Sequence, residues 1–103
     1  MRQIPLNSSS RKIETITCQD EYEAEKLKWI LSTNSEEHKP KHIFTISESE
    51  LIIVLNDDSS HSITISDKES VARLQRTIHM ILFHGKKPMS VLAHRNLVQI
   101  EVE

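Results

Sequence analysis

The chain has 103 residues, a formal net charge of −2, 37% apolar residues and a single cysteine. That length suits one domain, and an apolar content dominated by Ile and Leu can build a core without metals or disulfides and argues against disorder. The near-neutral charge provides no global field for nucleic acid or an anionic membrane, Cys18 alone permits no internal disulfide and fits a reducing, cytoplasmic setting, and no apolar run approaches the ~20 residues of a membrane span.

Residues 1–10 end in Ser8-Ser9-Ser10 and read as a flexible polar arm without the apolar stretch of a signal peptide. Residues 11–103 read as one domain. From Arg11 to Cys18 the β-branched residues favour a strand, with Ile13, Thr15 and Thr17 on one side and Ile16 and Cys18 on the other. Asp20 to about Thr33 reads as a helix. Asp20 and Glu23 have the spacing of a capping box, acids fill the first turn, and Ala24, Leu27, Ile30 and Leu31 form an apolar stripe. A loop over 34–40 closes at Pro40, because the residue before a proline is biased to extended backbone.

Three strands follow over 42–47, 50–55 and 61–66. Their links, Glu48-Ser49 and Asn56-Asp57-Asp58-Ser59, are short enough for an antiparallel meander. The second helix runs from Asp67 to His84. Ser66-Asp67-Lys68-Glu69 has the capping-box form, Val71, Leu74, Ile78, Ile81 and Leu82 share one face, and Gly85 supplies the stop. Residues 89–96 fit neither period; Ser90 there is a candidate cap for a short helical turn. From Leu97 to Glu103, Val98, Ile100 and Val102 alternate with polar residues as in a half-exposed strand.

The element order is β-α-β-β-β-α-β, with no internal repeat evident. The expected fold is α+β: a three-stranded antiparallel meander plus terminal strands, with both helices on one face. Phe44, Ile46, Leu51, Ile53, Leu55, Ile63 and Ile65 are expected to face the helices. Ile52 and Val54 are expected to point away, beside Ile43, Thr45 and Thr64. A strand apolar on both sides is usually covered on both, here by a terminal segment, a second copy or a partner.

No catalytic constellation stands out. Glu36-Glu37, Glu48, Glu50 and Asp57-Asp58 lie in expected loops, as solvated turn acids do. Pro40 separates His38 from His42, His79 and His84 point to different helix faces, and Cys18 has no near partner, so no metal site is expected. A single glycine rules out Gly-rich phosphate loops and a G-x-S-x-G elbow. Neither an enzyme nor a cofactor is expected. A thiol at Cys18, just before the first helix, is a candidate for reactivity if cations gather near it. Six histidines leave room for a response to mild acid.

Two surfaces remain besides the outer sheet face. Tyr22 and Trp29, seven residues apart, turn away from the stripe of the first helix, with Lys26 nearby. Exposed aromatics beside a cation are enriched in interfaces. On the second helix Arg73, Arg76 and His84 share the polar face, and Lys86 and Lys87 continue past Gly85, a basic patch able to follow a nucleic-acid backbone. The central α-β-β-β-α order resembles that of double-stranded-RNA-binding domains. However, Asp67-Lys68-Glu69 stands where that family starts its second helix with a basic cluster. The sequence therefore reads as a small non-catalytic regulator, inhibitor or adaptor that binds another protein through Tyr22, Lys26 and Trp29 or through Ile52 and Val54, with self-association open. The alternative is nucleic-acid binding by the second helix.

Overall fold

Two aspartates open the two helices. The Asp20 carboxylate accepts the Glu23 N–H at 2.9 Å and starts α1 (Glu21–Ser32). The Asp67 carboxylate accepts the Ser70 N–H at 2.7 Å and starts α2 (Lys68–His84). Asp67, not Ser66, is therefore the cap of α2. Ser66 instead donates its hydroxyl to the Thr17 carbonyl. The box at Asp20 is half-built: the Glu23 side chain reaches across to accept the Thr64 N–H at 2.9 Å. The computed structural model describes residues 12–33, 35–84 and 88–102. Gly85, expected to end α2, lies outside them, as do Lys86, Lys87 and the N-terminal arm.

Six strands join the helices: β1 (Lys12–Thr17), β2 (Pro40–Thr45), β3 (Glu50–Leu55), β4 (Ser60–Thr64), β5 (Pro88–His94) and β6 (Leu97–Val102). They form two antiparallel three-stranded sheets, ordered β1-β6-β5 and β2-β3-β4. The terminal strands thus make a second sheet of their own. Residues 89–96, where a helical turn at Ser90 was conceivable, form most of β5 and a two-residue turn. Arg95 takes the left-handed conformation there, with φ 56°. Tight hairpins usually place Asn or Gly at such a position, so the usual sequence signal is missing. No helix among the described residues is long and apolar enough to cross a membrane.

The topology contains a repeat that the letters hide. β1-α1-β2-β3 and β4-α2-β5-β6 are two β-α-β-β units, and each lends its first strand to the sheet of the other. Equivalent residues are 47 apart through the helices, as Asp20 and Asp67 are, and 48 apart in the next strand, as Pro40 and Pro88 are. Both prolines open a strand and are followed by a register shift against the neighbouring strand. The units meet at an antiparallel bridge between Cys18 and Ile65. Around it the hydrogen bonds come in matched pairs. Gln19 N–H donates to the Thr64 carbonyl and Ser66 N–H to the Thr17 carbonyl, both at 2.9 Å. Cys18 N–H donates to the Asn96 carbonyl at 2.7 Å and Ile65 N–H to the Ser49 carbonyl at 2.6 Å. Thr64 N–H finds the Glu23 carboxylate, and Thr17 N–H finds the Ser70 hydroxyl at 2.9 Å. The expectation of no internal repeat is corrected by this arrangement.

One continuous core lies between helices and sheets. Ile16, Cys18, Leu27, Leu31, Leu51 and Ile53 come from the first unit; their counterparts Ile63, Ile65, Leu74, Ile78, Val98 and Ile100 come from the second, all buried. Burying each such aliphatic side chain contributes roughly 1.5–3 kcal/mol, so both halves supply the stability of one cooperative body. The register also corrects the expected faces. Ile43 lies opposite Ile53 and packs against the core. Phe44 lies opposite Ile52, so Phe44 and Ile46 point outward, 54% and 53% exposed. Thr45 accompanies Ile43 on the helix side, where its hydroxyl accepts from Gln75 of α2.

Candidate functional site

The outer face of β2 and β3 carries three rows. Val54 lies opposite His42 and Ile52 opposite Phe44; Ile46 hydrogen-bonds back to the Glu50 carbonyl at 2.9 Å. The His42 and Phe44 rings are 5.9 Å apart on this face. Ile52 and Val54, half-buried, are thereby joined by the two side chains expected in the core. Four apolar side chains become contiguous on an open surface, the kind of patch that marks an interaction site. The residues missed were Phe44 and Ile46. In Ile43-Phe44-Thr45-Ile46 two apolar residues share one parity and a single one the other. Counting apolar residues chose the wrong face, because register follows the bulge after Pro40 and the Ile43–Ile53 pairing.

The second unit shows what the same frame looks like without the patch. There the equivalents of Phe44, Ile52, Val54 and Ile46 are Leu92, Gln99, Glu101 and His94. Leu92, Leu97 and Ile13 are exposed on that sheet, but polar residues separate them: Gln99 lies between Leu92 and Thr15, and Glu101 between Ser90 and Ile13.

Helix α1 presents its aromatics to solvent, with Tyr22 71% and Trp29 51% exposed. The Lys26 ammonium lies 5.2 Å over the Tyr22 ring and 3.4 Å from the Glu23 carboxylate. Two helical turns on, about 10 Å along the axis, Trp29 has its own surroundings. Its ring lies 5.6 Å from His38 and 6.0 Å from His61. It lines a shallow groove with Glu25, Lys28, Ser32 and Thr33. Tyr22 with Lys26 and Trp29 with the histidines are therefore two adjoining contacts on one helix face.

The loop below Trp29 is tightly made. Asn56 N–H donates to the Lys39 carbonyl and Asp57 N–H to the Glu37 carbonyl, both at 2.9 Å, and the Asn56 amide donates to the Glu36 carbonyl at 2.8 Å. The Asp57 carboxylate accepts the Ser59 hydroxyl at 2.6 Å and the Ser59 N–H at 3.0 Å, and lies 3.7 Å from His38. The Ser59 hydroxyl and amide, with a smaller effect of His38, hold the Asp57 carboxyl below its usual range. Ser59 Oγ is also 3.1 Å from His61 Nε2. Serine, histidine and aspartate meet, but in the wrong order for nucleophile activation. The carboxylate accepts from the serine, whereas in the activating order it would hold the histidine, and here the contact closes the turn on Asp57.

On α2 two arginines reach the adjoining sheet. Arg73 Nη1 donates to the Thr15 carbonyl at 3.1 Å, and Arg76 lies 3.9 Å from the Glu14 carboxylate. His84 is exposed, and Lys86 and Lys87 lie outside the described residues. Arg73 and Arg76 occupy the positions that Lys26 and Trp29 occupy on α1. The Cys18 thiol is buried, and burial, then the negative Glu23 and Asp20, push it up to about 12. That removes the thiolate on which reactivity depends. Among the described residues no three His, Cys, Asp or Glu side chains group to hold a metal ion. No family model, curated protein or solved structure matches this chain.

Proposed function

We propose that the protein is a small, non-catalytic interaction module, a regulator, inhibitor or adaptor, that binds another protein through the outer face of β2 and β3. The carrying observation is the contiguous row of Phe44, Ile46, Ile52 and Val54, on a frame whose other half has Gln99 and Glu101 at the corresponding places. Apolar side chains that leave water at such a surface contribute about 25 cal/mol per Å2 of apolar area buried, the large Phe44 ring the most. Tyr22, Lys26 and Trp29 form a second contact surface on α1. The single unpaired, buried Cys18 supports a cytoplasmic setting.

The test is capture of the partner from the native host with the immobilised protein, comparing wild type with Phe44→Asp and Ile52→Asp. Both side chains point away from the core, so circular dichroism is expected to stay unchanged. Loss of a contact worth about 2 kcal/mol weakens capture roughly 30-fold. Equal capture by wild type and both variants overturns the reading. A second reading assigns nucleic acid to α2 and draws on the exposed Arg76 and His84 together with Lys86 and Lys87. It requires salt-sensitive binding that Arg76→Ala weakens, and absence of binding at low salt removes it.

A further inference from the structure

We propose that the open edge of β2 pairs antiparallel with the same strand of a second copy, Phe44 opposite Phe44 across a two-fold axis. This rests on the interaction reading above and names one occupant, a second copy, for the edge that borders that surface. Within its sheet β2 pairs only with β3, so its other hydrogen-bonding edge faces no strand among the described residues. Natural edges are guarded by proline, lysine or bulges. Here all three guards, Pro40, Lys41 and the register shift that follows Pro40, lie at the N-terminal end. Lys41 is also turned back onto Asp58 of its own chain. From His42 to the end of the strand at Thr45, and on through Ile46 and Ser47, there is no formal charge, no proline and no glycine.

Charge compatibility is what favours a second copy. In an antiparallel pair of identical strands centred on Phe44, His42 meets Ile46 and Ile43 meets Thr45. No acid and no Lys or Arg opposes its like, which would otherwise destabilise the pairing. The outer face then continues across the seam as Ile52–Phe44–Phe44–Ile52, an unbroken apolar row closed by an aromatic pair. The equivalent edge, β5, would continue as Gln99–Leu92 with Glu101 alongside, and gains no such row. One strand pair with its side-chain row falls below the ~1,200 Å2 of standard interfaces, so the dimer is expected to be weak and concentration-dependent.

Sedimentation of the full chain from about 10 μM to 1 mM, a range that brackets weak association, tests this. The wild type is expected to shift from monomer to dimer, Phe44→Asp to remain monomeric with unchanged circular dichroism, and Leu92→Asp to behave as wild type. Phe44→Cys provides a geometric readout. Cys18 is the only native cysteine and is buried with its thiol near 12, so it does not compete. Under mild oxidation, Phe44→Cys is expected to form a covalent dimer at least ~10-fold faster than Leu92→Cys, because directly opposed Cβ atoms of paired strands lie close enough for a disulfide. A monomer at every concentration, a dimer that survives Phe44→Asp, or cross-linking no faster than in Leu92→Cys each overturns the proposal. The interaction reading fails separately, when Phe44→Asp and Ile52→Asp capture the host partner as well as wild type does.

Discussion

The two β-α-β-β units share a frame and differ in what they display. At buried positions they agree: Ile16 with Ile63, Leu27 with Leu74, Ile53 with Ile100. At the junction they agree in geometry but not in chemistry, since the Glu23 carboxylate and the Ser70 hydroxyl each accept an N–H from the opposite unit. On the outer face they part, with Phe44, Ile52 and Val54 on one side and Leu92, Gln99 and Glu101 on the other. On the helices Tyr22, Lys26 and Trp29 stand against Glu69, Arg73 and Arg76. Because the frame accepts either set, packing does not demand the apolar and aromatic one, and the proposed binding surface rests on that excess.

The largest expected effect tests the common frame. Leu27→Ala and Leu74→Ala remove fully buried side chains at equivalent places, and each should cost about 2–5 kcal/mol, with a single transition in urea. Two transitions, or one variant near wild type, would break the equivalence of the halves. A second test exchanges the surfaces. Gln99→Ile with Glu101→Val should build a new apolar row and add self-association detectable by light scattering, while folding stability changes by no more than about 1 kcal/mol. The junction comes next. Glu23→Ala and Ser70→Ala each strip the acceptor from a backbone N–H, at about 1–3 kcal/mol. The carboxylate loss should be the larger, and Glu23→Gln should recover part of it.

The smallest effect concerns acid. The Ser70 N–H, and then the Ser70 and Ser66 hydroxyls, hold the Asp67 carboxyl below its usual range. A carboxyl lowered on folding adds stability that is present above the unfolded value of about 3.9 and is lost as pH falls through the folded value. Asp67→Asn should therefore lie below wild type at neutral pH and converge with it in acid, by denaturation curves at pH 7 and pH 3. A gap that persists in acid would sink the assignment.

Much of this fold is legible in the letters. Asp20 and Asp67 mark both helix starts, to within one residue for α2, and the alternation after Leu97 marks β6. What stays hidden depends on register and on distant partners. β5 has one fully inward apolar residue, Val91, and a turn built on Arg95. The repeat is masked because only scattered positions keep the same residue, as Ile16 and Ile63 or Leu27 and Leu74 do, and because α2 has 17 residues against 12 in α1, with a correspondingly shorter link to the next strand. For the candidate surface, Ile52 and Val54 were readable from an all-apolar strand. Phe44 and Ile46 were not, since one residue of slip moves a side chain from core to solvent.

The exchange of β1 and β4 has a consequence for autonomy. Cut within the Asn56–Ser59 turn, neither fragment could complete its own sheet, because each holds the strand its sister needs. The fragments would instead reassemble, and two copies of one fragment could satisfy the same pairing pattern. The chain thus has the architecture of a strand-swapped dimer made covalent. In the single chain the bridge between Cys18 and Ile65, at the junction of the two units, ties the swapped halves into one body.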